Sequence, residues 1–433
     1  MMIKTLDGNK KNFLISLSKN LAKRKSLQLS KTSSVQKIIN NVKSKNIKAV
    51  LLYEKKFNKI KKIKISNIKF SKKEITQIVR KLNKKTKKSI DLAYSRIKKF
   101  HQKQKFHSFK YLDKYNNKLM YNYSSINSVG VYVPGGTASY PSTVLMNCIP
   151  AQIAGVKNIL MTTPCLNSRP NPAVIYAAKK CGVKEIYKIG GAHAIAALAY
   201  GAKIIKKVDK IVGPGNSFVA AAKKIVFGDV GIDMVAGPSE VTIVSDKSSN
   251  PNWVAADLIA QAEHDVYAQS ILISDNLNIL KQVKDCIKQQ INKLPKKKIA
   301  SSSLKNFGMF IYSKKVINTV KIINEIAPEH LELNVKKPEL IVKKIYNAGS
   351  IFIGKYSPEA IGDYLAGPNH VLPTSGSAKF SSGLSVSDFL KRHSLIKISK
   401  RGIESLGPSV INLARHENLE GHANSVKVRL EEK

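Results

Sequence analysis

VGVYVPGGTASYPSTVLMNCIPAQIAGV, residues 129–156, marks where the chain changes character. Before it the sequence is dominated by lysine-spaced helical stretches, such as VQKIINNVKSKN (35–46) and KKEITQIVRKLNKKTKKSIDLAYSRIKKF (72–100). Apolar residues recur there at helical spacing with Lys between them, which reads as solvated helical faces. From residue 129 onward short apolar runs alternate with helical segments. NILMTT (158–163), EIYKIGG (185–191) and DKIVGPGN (209–216) read as strands, with HAIAALAYG and FVAAAKKIV as helices between them. Strand–helix alternation at this spacing predicts a parallel sheet covered by helices.

A second series follows: EVTIVSD (240–246), a helix over 252–264, SILISD (270–275), GMFIYS (308–313) and SIFIG (350–354). The expected fold class is α/β, with two tandem parallel-sheet domains of incomplete Rossmann-like type. The expected divisions are a helical N-terminal region (1–129) partly packing on the second α/β domain, a first α/β domain (130–238), a second (239–384) and a mostly helical C-terminal tail (385–433). No period marks a repeat array.

Composition narrows the partners. The chain has 433 residues and 43% hydrophobic content, enough for two or three real cores. It has no apolar run long enough to span a membrane and no secretory signal, and its four scattered cysteines form no C-x-x-C pair, so a reduced cytoplasmic protein is expected. The formal charge is +46. Of the 74 basic residues only eight are Arg. Phosphate and base readout favour Arg clusters and basic–aromatic interleaving, both missing here, so the charge reads as lysine on solvated faces. A basic nucleic-acid-binding α/β protein is nevertheless the alternative that the charge suggests.

Several turns and side chains carry possible chemistry. VPGG (133–136), IGGAHA (189–194) and GPGNSF (213–218) are Gly-rich turns at strand ends, where open α/β sheets bind ligands. GPGNSF lacks the third glycine of the dinucleotide fingerprint, so alone it is weak. In the 252–264 helix, Val254 and Leu258 form a buried stripe that ends in Gln261 and His264, an amide and an imidazole three residues apart on one side. With His330, His370, His416, His422, Asp363 and Glu417 they offer mixed nitrogen and oxygen ligands, without any diagnostic metal spacing. A metal-dependent hydrolase built on Asp363 and these histidines would leave the Gly-rich turns without a purpose. In APEHLEL (327–333) Glu329 and His330 are adjacent, so their side chains diverge; read alone they are a surface pair after a proline, and in one pocket they would suit two separate proton transfers rather than one dyad.

Residues 129–156, VDKIVGPGNSFVAAAKKIVFGDVGIDMVAGPSEV (208–241), QAEHD (261–265), APEHLEL, IGDYLAGPNHVLPTSGSAKFSSGLSVSDFLKR (361–392) and LEGHANSV (419–426) together resemble the histidinol dehydrogenase family. The likeness runs from about 129 to 427 and loosely into the N-terminal helices. It implies NAD-dependent, four-electron oxidation of L-histidinol to L-histidine through bound L-histidinaldehyde, with two NAD and one water. It also implies one zinc ion per subunit and a homodimer with shared active sites. By motif, Gln261, His264, Asp363 and His422 are the implied zinc ligands, His422 coming from the partner. Glu329 and His330 are the implied proton-transfer residues. Ser239, His370 and Glu417, with His330 and the zinc ligands, are implied to bind substrate. Tyr132, Asn216 and position 193 are implied to contact NAD. At 193 the chain departs from the resemblance: the family's GGAQAI reads GGAHAI here. Imidazole cannot donate and accept from one end as an amide does, so weaker or pH-sensitive NAD binding is expected at His193.

Overall fold

The computed structural model describes residues 3–26, 32–58, 63–104, 106–135, 140–165 and 170–432. Gly136, the last residue of the VPGG turn, lies outside them.

The fold is α/β, with two parallel sheets. The strands in chain order are β1 (Lys4–Asp7), β2 (Phe109–Leu112), β3 (Lys118–Ser125), β4 (Ser128–Tyr132), β5 (Asn158–Thr162), β6 (Glu185–Tyr187), β7 (Lys210–Val212), β8 (Gly231–Ile232), β9 (Glu240–Ser245), β10 (Gln269–Ser274), β11 (Met309–Tyr312), β12 (His330–Asn334), β13 (Ser350–Ile353) and β14 (Leu390–Lys397). One sheet runs β6-β5-β4-β7-β8 and the other β1-β11-β10-β9-β12-β13. All pairings in both are parallel. Apart from the edge strand β1, the two sheets share one order, reversing between β4 and β7 in the first and between β9 and β12 in the second. Strands β9, β10 and β12 are buried along their whole length. That is why they read as continuous apolar runs rather than as alternation: helices cover both faces.

The Lys-rich N-terminus is distributed over both units. Strand β1 extends the second sheet, pairing Lys4–Asp7 with Met309–Tyr312. Leu17, on the helix Phe13–Ser26, is fully buried in that unit's core. The helices Thr32–Lys45 and Ile47–Asn58 lay Val35, Ile38, Ile39 and Val50 against Ile195 and Leu198 on one side of the first unit. The helix Lys84–His101 brings Ile90 and Ile97 to the other side, against Leu145 and Ile149. A few buried apolar residues per helix are enough to anchor such segments while their lysines stay in water.

A third, antiparallel sheet joins distant parts of the chain, with β3 between β2 and β14. The tail then continues as two helices packed on each other, Lys400–His416 and Glu420–Glu431.

Candidate active site

The first unit presents three turns at the carboxyl ends of its strands. Tyr132 ends β4, Gly190 and Gly191 follow β6, and Gly213–Asn216 follow β7. Gly213 has φ +111°, and a Cβ there would lie 2.1 Å from the Tyr132 carbonyl oxygen, so only glycine lets the two turns approach. Asn216 caps the helix Ser217–Val226, its side chain accepting from the amides of Phe218 and Val219. The Tyr132 hydroxyl accepts from Gly191 N–H at 3.0 Å. His193, 1% exposed, does not open toward solvent: its Nε2 lies 2.7 Å from the Glu54 carboxylate, which also accepts Gly190 N–H at 2.9 Å. Its ring leans on Tyr53 and Phe57 of the same N-terminal helix.

The second unit contributes from the opposite strand ends. Glu240 is the first residue of β9 and His330 the first of β12, with Ser239 and Glu329 just before them. The helix Pro251–Ala262 returns along the sheet and brings Gln261 to this same amino end. It stops at Ala262, so His264 sits in the turn beyond, its N–H bonded to Gln261 O at 3.2 Å. The short helix Glu359–Tyr364, carrying Asp363, packs against the Gln261 helix. His370 reaches the Asp363 carbonyl through Nδ1 at 3.0 Å. Tyr140 of the first unit feels the Asp265 carboxylate, and Tyr364 feels Tyr140, so the two units face each other here.

His330 is the hub. Its Nδ1 is 3.0 Å from the Glu240 carbonyl, which can only accept; Nδ1 therefore carries the hydrogen and Nε2 is left with its lone pair. Nε2 is buried without a hydrogen-bond partner among the described residues, 3.8 Å from Asp363 Oδ1. Glu329 diverges from it, 3.7 Å away at the nearest, and accepts Glu240 N–H at 2.8 Å. Both ends of the Gln261 amide are also buried and unpartnered among the described residues. Unmade hydrogen bonds in a buried amide cost roughly 1–3 kcal/mol per group, so such a cluster calls for a ligand.

Burial disfavours charge on the titratable groups gathered here. It lowers His330 to about 3 and His370 to about 4, helped by the neighbouring imidazoles, and lowers His264 as well. It raises Asp363 to about 7 and pushes Glu329 and Glu359 well above the carboxylate range, with nearby carboxylates adding to both. Neutral imidazoles and carboxyls that a cation would ionise are a metal-type donor set. His330, Glu359 and Asp363 each offer a ligand atom within 4.8 Å of the others. Sequence reading missed Glu359; the signal was its place four residues before Asp363 in EAIGDY, one helical turn away on the same face.

The structure thus brings Glu329, His330, Asp363 and His370 together, with His264 close enough to act on both imidazoles; Gln261 lies on the helix packed against that of Asp363, and Ser239 directly precedes Glu240. It does not bring Glu417 or His422 there: both lie exposed on the tail.

A dinucleotide-type sheet order together with a buried imidazole whose Nε2 is left open and a cation-ready donor set points to an α/β oxidoreductase. The sequence profile of histidinol dehydrogenase matches residues 21–430. The chain is 58% identical over 436 residues to histidinol dehydrogenase of Pelagibacter ubique, covering 100% of both, and 46% identical over 431 residues to histidinol dehydrogenase 1 of a Nostoc species. Its structure overlays on the crystal structure of histidinol dehydrogenase from Elizabethkingia anophelis with TM-score 0.90 and 37% identity, covering 99% of this chain and 98% of that one. The chain belongs to the histidinol dehydrogenase family, NAD-linked oxidoreductases of the final step of histidine biosynthesis. The nucleic-acid alternative finds no support. Among the described residues no helix is long and apolar enough to cross a membrane.

Proposed function

We propose that the protein oxidises L-histidinol to L-histidine through bound L-histidinaldehyde, consuming two NAD and one water. The observation that carries this reading is the buried, unpartnered Nε2 of His330, with its tautomer fixed by the Glu240 carbonyl, beside the unpartnered Gln261 amide. In the first half, His330 Nε2 takes the alcohol proton as the carbinol hydride passes to NAD. In the second, Glu329 in its ionised form takes a proton from water as the water oxygen adds to the aldehyde, and the hydrate's hydride passes to a second NAD. A base of this kind contributes about 10²–10⁴-fold.

Gln261, His264 and Asp363, with His422 from a second copy of the chain, would hold one zinc ion; of these, Asp363 lies within 4.8 Å of donor atoms of His330 and Glu359. The orphaned Gln261 amide and the neutral imidazoles fit that role. Zinc supplies a template that orients the substrate's imidazole and amine. Ser239 and His370, with Glu417 of the second copy, complete the substrate pocket. Tyr132, Asn216 and the turn at His193 form the NAD side, where holding the reacting carbon near the nicotinamide can lower the barrier by up to about 7–11 kcal/mol.

Apolar side chains left exposed on the tail helices and the third sheet, among them Leu413, Val410, Phe109 and Ile396, support a homodimer in which the tail reaches a neighbouring site. The four unbridged cysteines fit a reducing, cytoplasmic setting. Zinc-loaded protein incubated with L-histidinol and NAD is expected to accumulate L-histidine. Accumulation of free aldehyde, or no product, would refute the reading.

A further inference from the structure

Glu329 and His330 hang from a single residue. Glu240 donates its N–H to Glu329 Oε2 at 2.8 Å and offers its carbonyl to His330 Nδ1 at 3.0 Å. The orientation of both side chains, and the tautomer of His330, therefore follow from where the Glu240 peptide units lie. Those units sit at the very start of β9, where the sheet ladder alone fixes one side of the chain.

The other side is fixed by the Glu240 carboxylate. It is buried and accepts the Ser375 N–H at 3.0 Å. It is also ion-paired with Arg24, which reaches it from the N-terminal helix Phe13–Ser26. Arg24 is 4% exposed. Its remaining donors go to the carbonyls of Pro238 at 2.8 Å, Ser239 at 3.4 Å and Tyr267 at 2.9 Å. One planar guanidinium thus holds the approach to β9 on both sides of Ser239, together with the loop entering β10. Lysine, a point charge, cannot fork in this way.

We infer that Arg24 is a positioning residue for the oxidation: through Glu240 it sets the depth of Glu329 and the orientation of His330 at the strand end. The inference rests on the roles proposed for Glu329 and His330. It makes the N-terminal helix part of the active site's support, although Arg24 touches neither residue. A purely structural staple would act on folding alone, and a substrate contact would act on KM.

The test compares R24M, R24K and L17A in the zinc-loaded enzyme, measuring kcat, KM for L-histidinol and for NAD, zinc content and melting temperature. Leu17 is buried in the same helix and touches none of these groups, so L17A loosens the helix without cutting the guanidinium contacts. R24M is expected to lower kcat about 10–100-fold with both KM values within about twofold and zinc content unchanged. R24K should fall between R24M and wild type, and L17A should lose melting temperature while keeping kcat per folded enzyme. Wild-type kcat in R24M overturns the inference. So does a loss of kcat in L17A matching R24M at equal melting temperature. If R24M does not fold, R24K decides: lower kcat at unchanged KM supports the inference, and unchanged kcat overturns it. A wild-type enzyme that forms no NADH from histidinol overturns the functional reading first and this inference with it, whereas wild-type turnover with an unaffected R24M overturns this inference alone.

Discussion

At residue scale, two histidines show how a buried partner decides a side chain's role. The Glu240 carbonyl leaves His330 with one available lone pair, on Nε2, pointing toward Asp363. H330N is expected to lower kcat about 10²–10⁴-fold with little change in KM for histidinol, in steady-state assays of zinc-loaded enzyme. A parallel loss in KM would mean that the ring mainly binds substrate. His193 is committed differently. Its Nε2 is taken by Glu54, while Nδ1 is buried with no partner among the described residues. H193Q would keep one amide donor for Glu54 and free an oxygen for the neighbouring turn. It should lower KM for NAD several-fold at some point between pH 6 and 8, with kcat nearly unchanged; a KM identical to wild type throughout would contradict the assignment of this turn to NAD. The substitution at 193 was legible in the sequence. Its partner was not, because Glu54 lies 139 positions away on a helix whose pattern signals only a solvated face.

At the scale of elements, the site depends on which ends of the strands meet. The carboxyl-end rule for open sheets predicts the turns of Tyr132, Gly190 and Gly213, and they are there. The second sheet contributes from its amino ends, at Glu240 and His330. Strand–helix alternation establishes that a sheet exists but not which rim faces the first unit, so this half of the crevice was visible only through motif resemblance. The helix Glu359–Tyr364 has a measurable consequence. With Asp363 raised to about 7 by burial, its carboxyl is protonated below that pH, and zinc must displace the proton to bind. Zinc affinity, followed by chelator competition, should therefore fall about tenfold from pH 8 to pH 6 and change little from pH 8 to pH 9. Equal affinities at pH 6 and pH 8 would show that Asp363 is no ligand. At the far edge of the same sheet Ile3, 2% exposed, anchors β1, and I3A should cost about 2–4 kcal/mol in denaturant unfolding, with KM for NAD unaffected.

At the scale of the whole molecule, the two units meet at Tyr140, Asp265 and Tyr364. The helical N-terminal pattern was plain from the lysine spacing and partial packing on the second unit was expected, yet the packing of the later helices on the first unit was not. Strand β1 is four residues long and carries no alternation, and the helices that follow hide their anchors, such as Val35 and Ile38, among lysines. His422 and Glu417 remain exposed on the tail, so their proposed roles require a second copy. Mixing H330N and H422A subunits in equal amounts tests this: each homodimer should be inactive, and the re-equilibrated mixture should regain about a quarter of wild-type activity, since about half of its dimers are hybrids with one of two sites intact. No recovery would place each site within one chain.

The most direct test of the account is the stoichiometry of a single exhausted reaction, with limiting L-histidinol, excess NAD and enzyme assayed as zinc-loaded, chelated and zinc-restored. The crevice described above predicts two NADH for every histidinol consumed, loss of the signal on chelation and its return with zinc. One NADH per histidinol, or a rate indifferent to the chelator, would contradict it.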